Sequence, residues 1–222
     1  MIPVMNFDKA RFNMIEQQVR PWDVLDDNVL TCLAQVSRED FVPPAYRKLA
    51  FADIAIPLGE GHYMMPPREE GRLLQALTIK QTDSILEIGT GSGHLTALLA
   101  KLGAHVTTID NHAQLSKTAS ERINALNIKT VDFIVEDALQ YCEQQSTCFD
   151  VICVSVSVPQ EPTLFLERLA LGGRLFAIVG QVPIMQATLF TRVGEKKFQQ
   201  QGLYETVAPA LSSFSAPSSF EF

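Results

Sequence analysis

The sequence predicts an α/β fold of the doubly wound kind, with a mostly parallel sheet and a small helical cap at the N-terminus. The first observation is an apolar run, Ser84–Ile88, followed by glycines at 89, 91 and 93 and by helical spacing over His94–Leu102. The second is the regular alternation of strand-like and helix-like segments beyond this loop, which is typical of a parallel sheet covered on both faces. The third is a proline-interrupted helical pattern in the first fifty residues.

The N-terminal region is expected to form short helices. Phe12, Ile15 and Val19 share one helical face, and Pro21 ends that helix. Asp26 can cap a second helix. Later segments are predicted as helical turns (37–41 and 46–51), an irregular or short-stranded connector (52–67) and a helix (69–77). We therefore expect an N-terminal part, 1–67, that packs on an α/β domain, 68–222.

The second half of the chain supplies the remaining strands, and the sheet is expected to have seven. Strands are predicted at 84–88, 105–109, 131–135, 149–155 and 174–179, with a final pair at 187–193 and 200–207. Helices are predicted at 94–102, 112–126 and 162–169, with a turn at 172–173. A tail rich in serine and proline, 212–219, is expected to be mobile.

Composition limits the classes of partner. The 222 residues carry a formal net charge of −7, which argues against general binding to nucleic acid or to an anionic membrane. No stretch approaches the roughly 18 apolar residues of a membrane span. The four cysteines form no C-x-x-C pair, so we expect reduced thiols, a cytoplasmic location and no metal site.

The glycine loop predicts a nucleoside site. Three alternating glycines let a ligand lie against bare amides. Glu87 stands just before the turn, where a carboxylate would repel pyrophosphate and suit a cationic ligand without phosphate. S-adenosylmethionine is the common ligand of that kind, and the alternatives are NAD binding or a β–α turn without a ligand.

Further polar residues stand at the ends of the next strands, where ligands of open parallel sheets bind. Asp110 can accept both ribose hydroxyls, and Asp137 can accept the adenine amino group. The alternatives are a helix cap for Asp110 and a solvated turn for Asp137. The predicted cofactor-binding residues are Glu87, Gly89, Thr90, Gly91, Gly93, Asp110, Asp137 and Ala138.

These motifs resemble the class I S-adenosylmethionine-dependent methyltransferases. The resemblance rests on 85–93, Asp110, Asp137, 149–152 and 171–175. More narrowly, the segments 36–43 and 52–59 resemble the protein-L-isoaspartate O-methyltransferases, and the similarity extends from about residue 25 to residue 179. It implies a Rossmann-like methyltransferase sheet, S-adenosylmethionine as the cofactor, and methylation of L-isoaspartyl residues in damaged proteins. In this family the methyl ester then cyclises to a succinimide, which begins repair.

The expected substrate loop departs from the family. Where the family has a Thr-x-Ser stretch before a proline, this chain has Tyr63, Met64 and Met65. Met65 thus occupies the hydroxyl position, so no catalytic residue is assigned, and the substrate candidates are Tyr63, Met64, Met65 and Ser155. An apolar wall disfavours a bound carboxylate. The open alternatives are a methyltransferase for another substrate, including a small molecule, and a protein that binds the cofactor without isoaspartyl activity.

Overall fold

The computed structural model describes residues 6–59 and 61–213, so the part of the tail at 214–219 lies outside the described residues. Seven α-helices occur in this part of the chain, at Phe7–Met14 (α1), Asp27–Gln35 (α2), Pro67–Leu77 (α3), His94–Leu102 (α4), Ala113–Ala125 (α5), Ala138–Gln144 (α6) and Thr163–Glu167 (α7). Nine strands occur there, at Ile56–Gly59 (β1), His62–Met64 (β2), Ser84–Ile88 (β3), His105–Asp110 (β4), Val131–Val135 (β5), Phe149–Val158 (β6), Leu169–Gln181 (β7), Ile184–Gly194 (β8) and Lys197–Thr206 (β9).

The predicted fold class is confirmed. The main sheet has seven strands in the order β5-β4-β3-β6-β7-β8-β9. The first five run parallel, whereas β8 is antiparallel to both of its neighbours. Because the strand order reverses at β3, with β4 on one side and β6 on the other, the carboxyl end of β3 is the expected ligand position.

The N-terminal cap packs against the sheet domain through a shared core. Val19, Leu33 and Phe41 belong to one buried cluster with Leu98 and Phe176. Asp26 caps α2 as expected, because its Oδ1 accepts the backbone N–H groups of two residues in the first turn. The division at residue 67 stays a prediction, since both parts contribute to one core.

The predicted face of the first helix was partly wrong. Ile15 and Val19 are buried, but Phe12 is 63% exposed. The physical reason is that α1 ends at Met14 and continues as a π-helical turn, Ile15–Val19. A π turn has more residues than an α turn. The α-helical spacing of 3.6 residues therefore does not place Phe12 on the same face as Ile15 and Val19.

The predicted turn at 172–173 lies inside β7 instead. Gly172 has a φ of 78°, and a Cβ on Gly173 would lie 2.8 Å from the carbonyl oxygen of Ala170. The two glycines therefore form an irregularity within a strand. Helix α7 is correspondingly shorter than predicted. Among the helices in the described residues, none combines the length and apolar character needed to cross a membrane.

Candidate active site

The loop between β3 and α4 has a backbone that glycine adopts most readily. Gly89, Gly91 and Gly93 have φ angles of 92°, 52° and 83°. A Cβ on Gly93 would lie 2.8 Å from the Cβ of Ala119, so helix α5 packs directly against the loop. The loop consequently presents bare amides at the start of α4, with the partial positive charge of a helix N-terminus.

Glu87 lies behind this loop and lines neither of the two cavities described below. Its side chain is fully buried. One carboxyl oxygen, Oε2, accepts hydrogen bonds from the hydroxyls of Thr96 and Thr108 at 2.6 and 2.7 Å, and Thr90 in turn contacts Thr108 at 2.7 Å. These contacts hold the Glu87 carboxyl in the interior, and Thr90 belongs to the same hydrogen-bond network. Contact between Glu87 and the cofactor stays a prediction.

The protonation state of Glu87 follows from its burial. Loss of solvent raises the pKa of Glu87 to about 8, although the two threonine hydroxyls lower it. The carboxyl is therefore mostly neutral near neutral pH. A neutral carboxyl group adds no negative charge beside the loop, so Glu87 gives no charge preference for a cationic ligand near neutral pH.

Replacing Glu87 with glutamine is expected to flatten the pH dependence of stability. Because the folded pKa is raised, the stabilisation from the bound proton is full below the unfolded pKa of about 4.3 and is lost as the pH rises towards about 8. The slope in this window approaches 1.4 kcal/mol per pH unit at most, about one factor of ten. Urea unfolding at several pH values checks this. The exposed Glu121→Gln serves as the control, and parallel profiles for wild type and Glu87→Gln would contradict it.

Asp110 ends β4 and reaches the loop. Its Oδ2 accepts the backbone N–H of Gly91 at 3.0 Å, and its Oδ1 accepts that of His112 at 2.9 Å. The ring Nδ1 of His112 also lies 3.2 Å from Oδ1. An ionised carboxylate has about four lone-pair sites, so acceptor capacity remains on Oδ2 for a further ligand. Asp110 thus supports the glycine loop and the turn that precedes α5, whose N-cap residue is His112, and it also faces a cavity.

Asp137 is the N-cap of α6, and both of its oxygens are already engaged. Oδ1 accepts the N–H groups of Leu139 and Gln140 at 2.9 and 3.0 Å, and Oδ2 accepts the hydroxyl of Ser213. Asp137 does not line the adjoining cavity, whereas its neighbours Glu136 and Ala138 do. Local capping and a distant serine thus account for three hydrogen bonds to Asp137. A contact between Asp137 and an adenine amino group stays a prediction.

Two cavities meet at Gly89, beyond the carboxyl end of β3. The larger cavity has a volume of about 280 Å³ and the smaller about 70 Å³. The larger cavity lies beside β4 and α6, and its polar lining includes Asp110, Asn111, His112 and Glu136. The smaller cavity lies between β6 and the connector 52–67, which contains β2. Its lining includes Tyr63, Met64, Met65, Glu69, Glu70, Thr90 and Ser155.

The structure brings all four predicted substrate residues to the smaller cavity, with different exposure. Tyr63 is 51% exposed, whereas Met64 is 3% exposed and belongs to the core. A bulge between Cys153 and Ser157 in β6 places the hydroxyl of Ser155 against the loop. There it donates to the carbonyl oxygens of Ile88 and Gly89 at 3.1 and 2.9 Å.

A buried ionic cluster supports the smaller cavity. Arg38 contacts the carboxylate of Glu70, and that carboxylate lies 3.0 Å from Nδ1 of His94. Arg38 also donates to the carbonyl oxygen of Met65 at 2.6 Å, which ties the connector to the cluster. Burial lowers the pKa of His94, so its imidazole is neutral near neutral pH.

Sequence reasoning missed several residues that line these cavities. Glu69 and Glu70 occupy the first turn of α3, and Glu136 directly follows β5. Glu136 could have been found from its position at a strand end. His62 and His112 were also missed: their Nε2 atoms lie 3.2 Å apart, and they join the connector to the end of β4. Among the described residues, no group of three His, Cys, Asp or Glu side chains is arranged to hold a metal ion.

Comparisons with known proteins agree with this arrangement. Residues 10–210 match the family model described as protein-L-isoaspartate(D-aspartate) O-methyltransferase. The protein-L-isoaspartate O-methyltransferase of Koribacter versatilis is 36% identical over 196 residues, covering 88% of this chain and 86% of the relative. That of Petrotoga mobilis is 34% identical over 176 residues, covering 79% and 83%.

Solved structures show the same fold. A Plasmodium falciparum protein described as a protein-L-isoaspartate O-methyltransferase, crystallised with S-adenosyl-L-homocysteine, superposes with a TM-score of 0.77 at 19% identity. The match covers 94% of this chain and 99% of that one. The fold is therefore shared with a known protein architecture.

Proposed function

The chain belongs to the protein-L-isoaspartate(D-aspartate) O-methyltransferase family, and on this premise we propose that it methylates the carboxylate of L-isoaspartyl residues in damaged proteins. It is an S-adenosylmethionine-dependent methyltransferase, as the family is. The observation that supports the proposal is that two cavities meet at Gly89, a larger one of about 280 Å³ and a smaller one of about 70 Å³.

The larger cavity fits the adenosyl part of the cofactor. Oδ2 of Asp110 has acceptor capacity left for a ribose hydroxyl. Glu136 and Ala138 line the same cavity, and the Glu136 carboxylate can accept a hydrogen bond from an adenine amino group. The positive φ angles of Gly89, Gly91 and Gly93 keep the loop backbone open. The proposed binding residues are thus these six. Thr90 lines the smaller cavity, while Glu87 and Asp137 support the loop and α6.

Bound cofactor supplies an electrophilic methyl group on a sulfonium. The substrate carboxylate is already a nucleophile, so no general base is needed. With the cofactor bound, a carboxylate oxygen would accept the methyl group, and the electron pair of the broken C–S bond would stay on sulfur. The work of Tyr63, Met65 and Ser155 is then to hold the carboxylate in line with the methyl group and to exclude water.

A methyl-transfer assay tests the proposal. We expect labelled methyl groups to be transferred to a peptide containing L-isoaspartate and not to the same peptide containing L-aspartate. The ester should be labile, since it cyclises to a succinimide. Equal labelling of both peptides, or of neither while S-adenosylhomocysteine binds by calorimetry, would contradict isoaspartyl specificity.

Replacing Met65 with serine is expected to increase kcat/KM for the isoaspartyl peptide. A hydroxyl at the edge of the smaller cavity, which we call the acceptor cavity, can donate to the carboxylate. Such a bond contributes about 1 kcal/mol, or roughly a fivefold change in kcat/KM. Met65→Ala is the matched control, because it removes the same apolar volume without adding a hydroxyl. An equal increase in kcat/KM in both variants would show that the smaller side-chain volume, and not the hydroxyl, causes the increase.

A second candidate, methylation of a different and less polar acceptor, is favoured by Met65 and by the carboxyl groups of Glu69 and Glu70 at the same cavity. The peptide assay above decides between the two.

We also propose a cytoplasmic location, supported by the four cysteines, all of which are free. The acidic net charge of −7 supports a protein or peptide acceptor over nucleic acid.

A further inference from the structure

Glu69 brings a second acidic side chain into the acceptor cavity, and neither the isoaspartyl chemistry nor the cofactor explains it. It lies in the first turn of α3 and is 8% exposed. The cavity around it has apolar walls from Met65, Ile178 and Val207. A carboxylate in such surroundings is costly unless it is paired.

The contacts of Glu69 orient its side chain without neutralising it. Its Oε2 accepts the hydroxyl of Thr206 on β9 at 3.0 Å. The adjacent cation, Arg68, pairs with Asp53 instead. Its neighbour Glu70 differs, because the cation Arg38 holds its carboxylate. Of the two glutamates at this cavity, Glu69 is therefore the one whose charge is not compensated by a direct ion pair.

A bound isoaspartyl carboxylate would add a second negative charge to this small cavity. Two carboxyl groups that share an apolar site do not both ionise, and one of them retains a proton. The substrate must be the ionised partner, because its oxygen attacks the methyl group. The remaining proton then lies on Glu69, where it can be donated as a charge-assisted hydrogen bond.

We propose that Glu69 determines acceptor specificity by donating a hydrogen bond from its protonated carboxyl group to the substrate carboxylate, in place of the hydroxyl that Met65 does not provide. This inference rests on the proposed function. No proton is consumed: methyl transfer converts the carboxylate into a neutral ester, and the proton stays on Glu69. The hydrogen bond is strongest before methyl transfer, since the negative charge of the acceptor disappears as the ester forms. Its loss should therefore raise KM more than it lowers kcat.

The groups around Glu69 set the direction of its pH dependence. Burial raises the pKa of Glu69, and Asp53 and Glu70 act in the same direction, whereas the Thr206 hydroxyl and Arg68 lower it. The phenol of Tyr204 contacts only the backbone carbonyl of Glu69, at 3.4 Å. Substrate binding should weaken as the pH rises and Glu69 loses its proton.

Steady-state kinetics with the isoaspartyl peptide, between about pH 5 and pH 9, test this. We expect kcat/KM of the wild-type protein to fall as the pH rises, mainly through KM. Glu69→Gln keeps a donor that does not titrate, so its KM should stay nearly constant over the range. Glu69→Ala should raise KM at low pH by about tenfold, the effect of losing a hydrogen bond to a charged group. Thr206→Val removes a hydrogen-bond donor that favours the ionised form of Glu69. The fall in kcat/KM should therefore occur at a higher pH in this variant.

Matched controls keep the result interpretable. Glu121→Gln makes the same change on the exposed face of α5 and should reproduce the wild-type profile. Thermal unfolding and S-adenosylhomocysteine affinity establish that each variant is folded. A wild-type pH profile in Glu69→Gln, or an unchanged KM in Glu69→Ala, would overturn the role of Glu69 and leave the proposed function standing. A wild-type protein that binds S-adenosylhomocysteine but methylates no isoaspartyl peptide would overturn both.

Discussion

Replacing Glu70 with alanine is expected to lower the free energy of unfolding by about 3–5 kcal/mol, because it leaves Arg38 as an unpaired buried charge. The side chains of Arg38 and Glu70 are only 1% and 2% exposed. The loss should also disturb the acceptor cavity, since Arg38 holds the carbonyl oxygen of Met65. Urea unfolding with linear extrapolation measures the change.

Two comparisons distinguish this cluster from ordinary ion pairs. Glu16→Ala breaks the exposed pair between Glu16 and Arg20, and should cost less than about 1 kcal/mol. The double variant Arg38→Met/Glu70→Leu removes both charges, so it should recover much of the stability lost in Glu70→Ala. A Glu70→Ala variant as stable as Glu16→Ala would show that the buried contacts contribute little.

Replacing Asp110 with alanine is expected to weaken S-adenosylhomocysteine binding by about 100-fold. Hydrogen bonds to a charged group contribute about 1.5–3 kcal/mol each, and a factor of ten corresponds to about 1.4 kcal/mol. The substitution also releases the N–H groups of Gly91 and His112, so the loop would lose part of its support. Isothermal titration calorimetry measures the affinity.

Asp132→Ala provides the matched control for this variant. Asp132 lies on the neighbouring strand β5, and its carboxylate pairs with His105 at an exposed position. The control should bind the ligand like the wild-type protein. An affinity within about twofold of wild type for Asp110→Ala, against the 100-fold expected from these hydrogen bonds, would mean that ribose is held elsewhere.

Local patterns predicted most of the fold because each segment carries its own periodicity. The strand Ser84–Ile88, the helix His94–Leu102 and the strand Val131–Val135 have the predicted bounds. The glycine loop was also predicted from the sequence, since glycine adopts the positive φ angles found at these alternate positions most readily. The N-terminal cap was predicted as a set of short helices. The predicted buried face of its first helix was partly wrong, because a π turn changes the spacing of the residues.

The roles of the acidic residues could not be predicted, because they depend on groups far away in the sequence. The Glu87 carboxyl accepts hydrogen bonds from Thr96 and Thr108 in the interior. Neither the alternation of residues along the strand nor the glycine spacing reveals these contacts. The second oxygen of Asp137 is engaged by Ser213, 76 positions later. The Arg38, Glu70 and His94 cluster joins three separate elements, so it appears only after the cap folds onto α3 and α4.

A crystal structure with S-adenosylhomocysteine and an isoaspartyl peptide bound together tests the central claim most directly. We expect the ribose hydroxyls at Asp110, the adenine between Glu136 and Ala138, and the isoaspartyl carboxylate between Met65 and Glu69, facing the sulfur. An adenosyl group bound outside the cavity at Asp110, or a peptide carboxylate away from Glu69 and Met65, would contradict it.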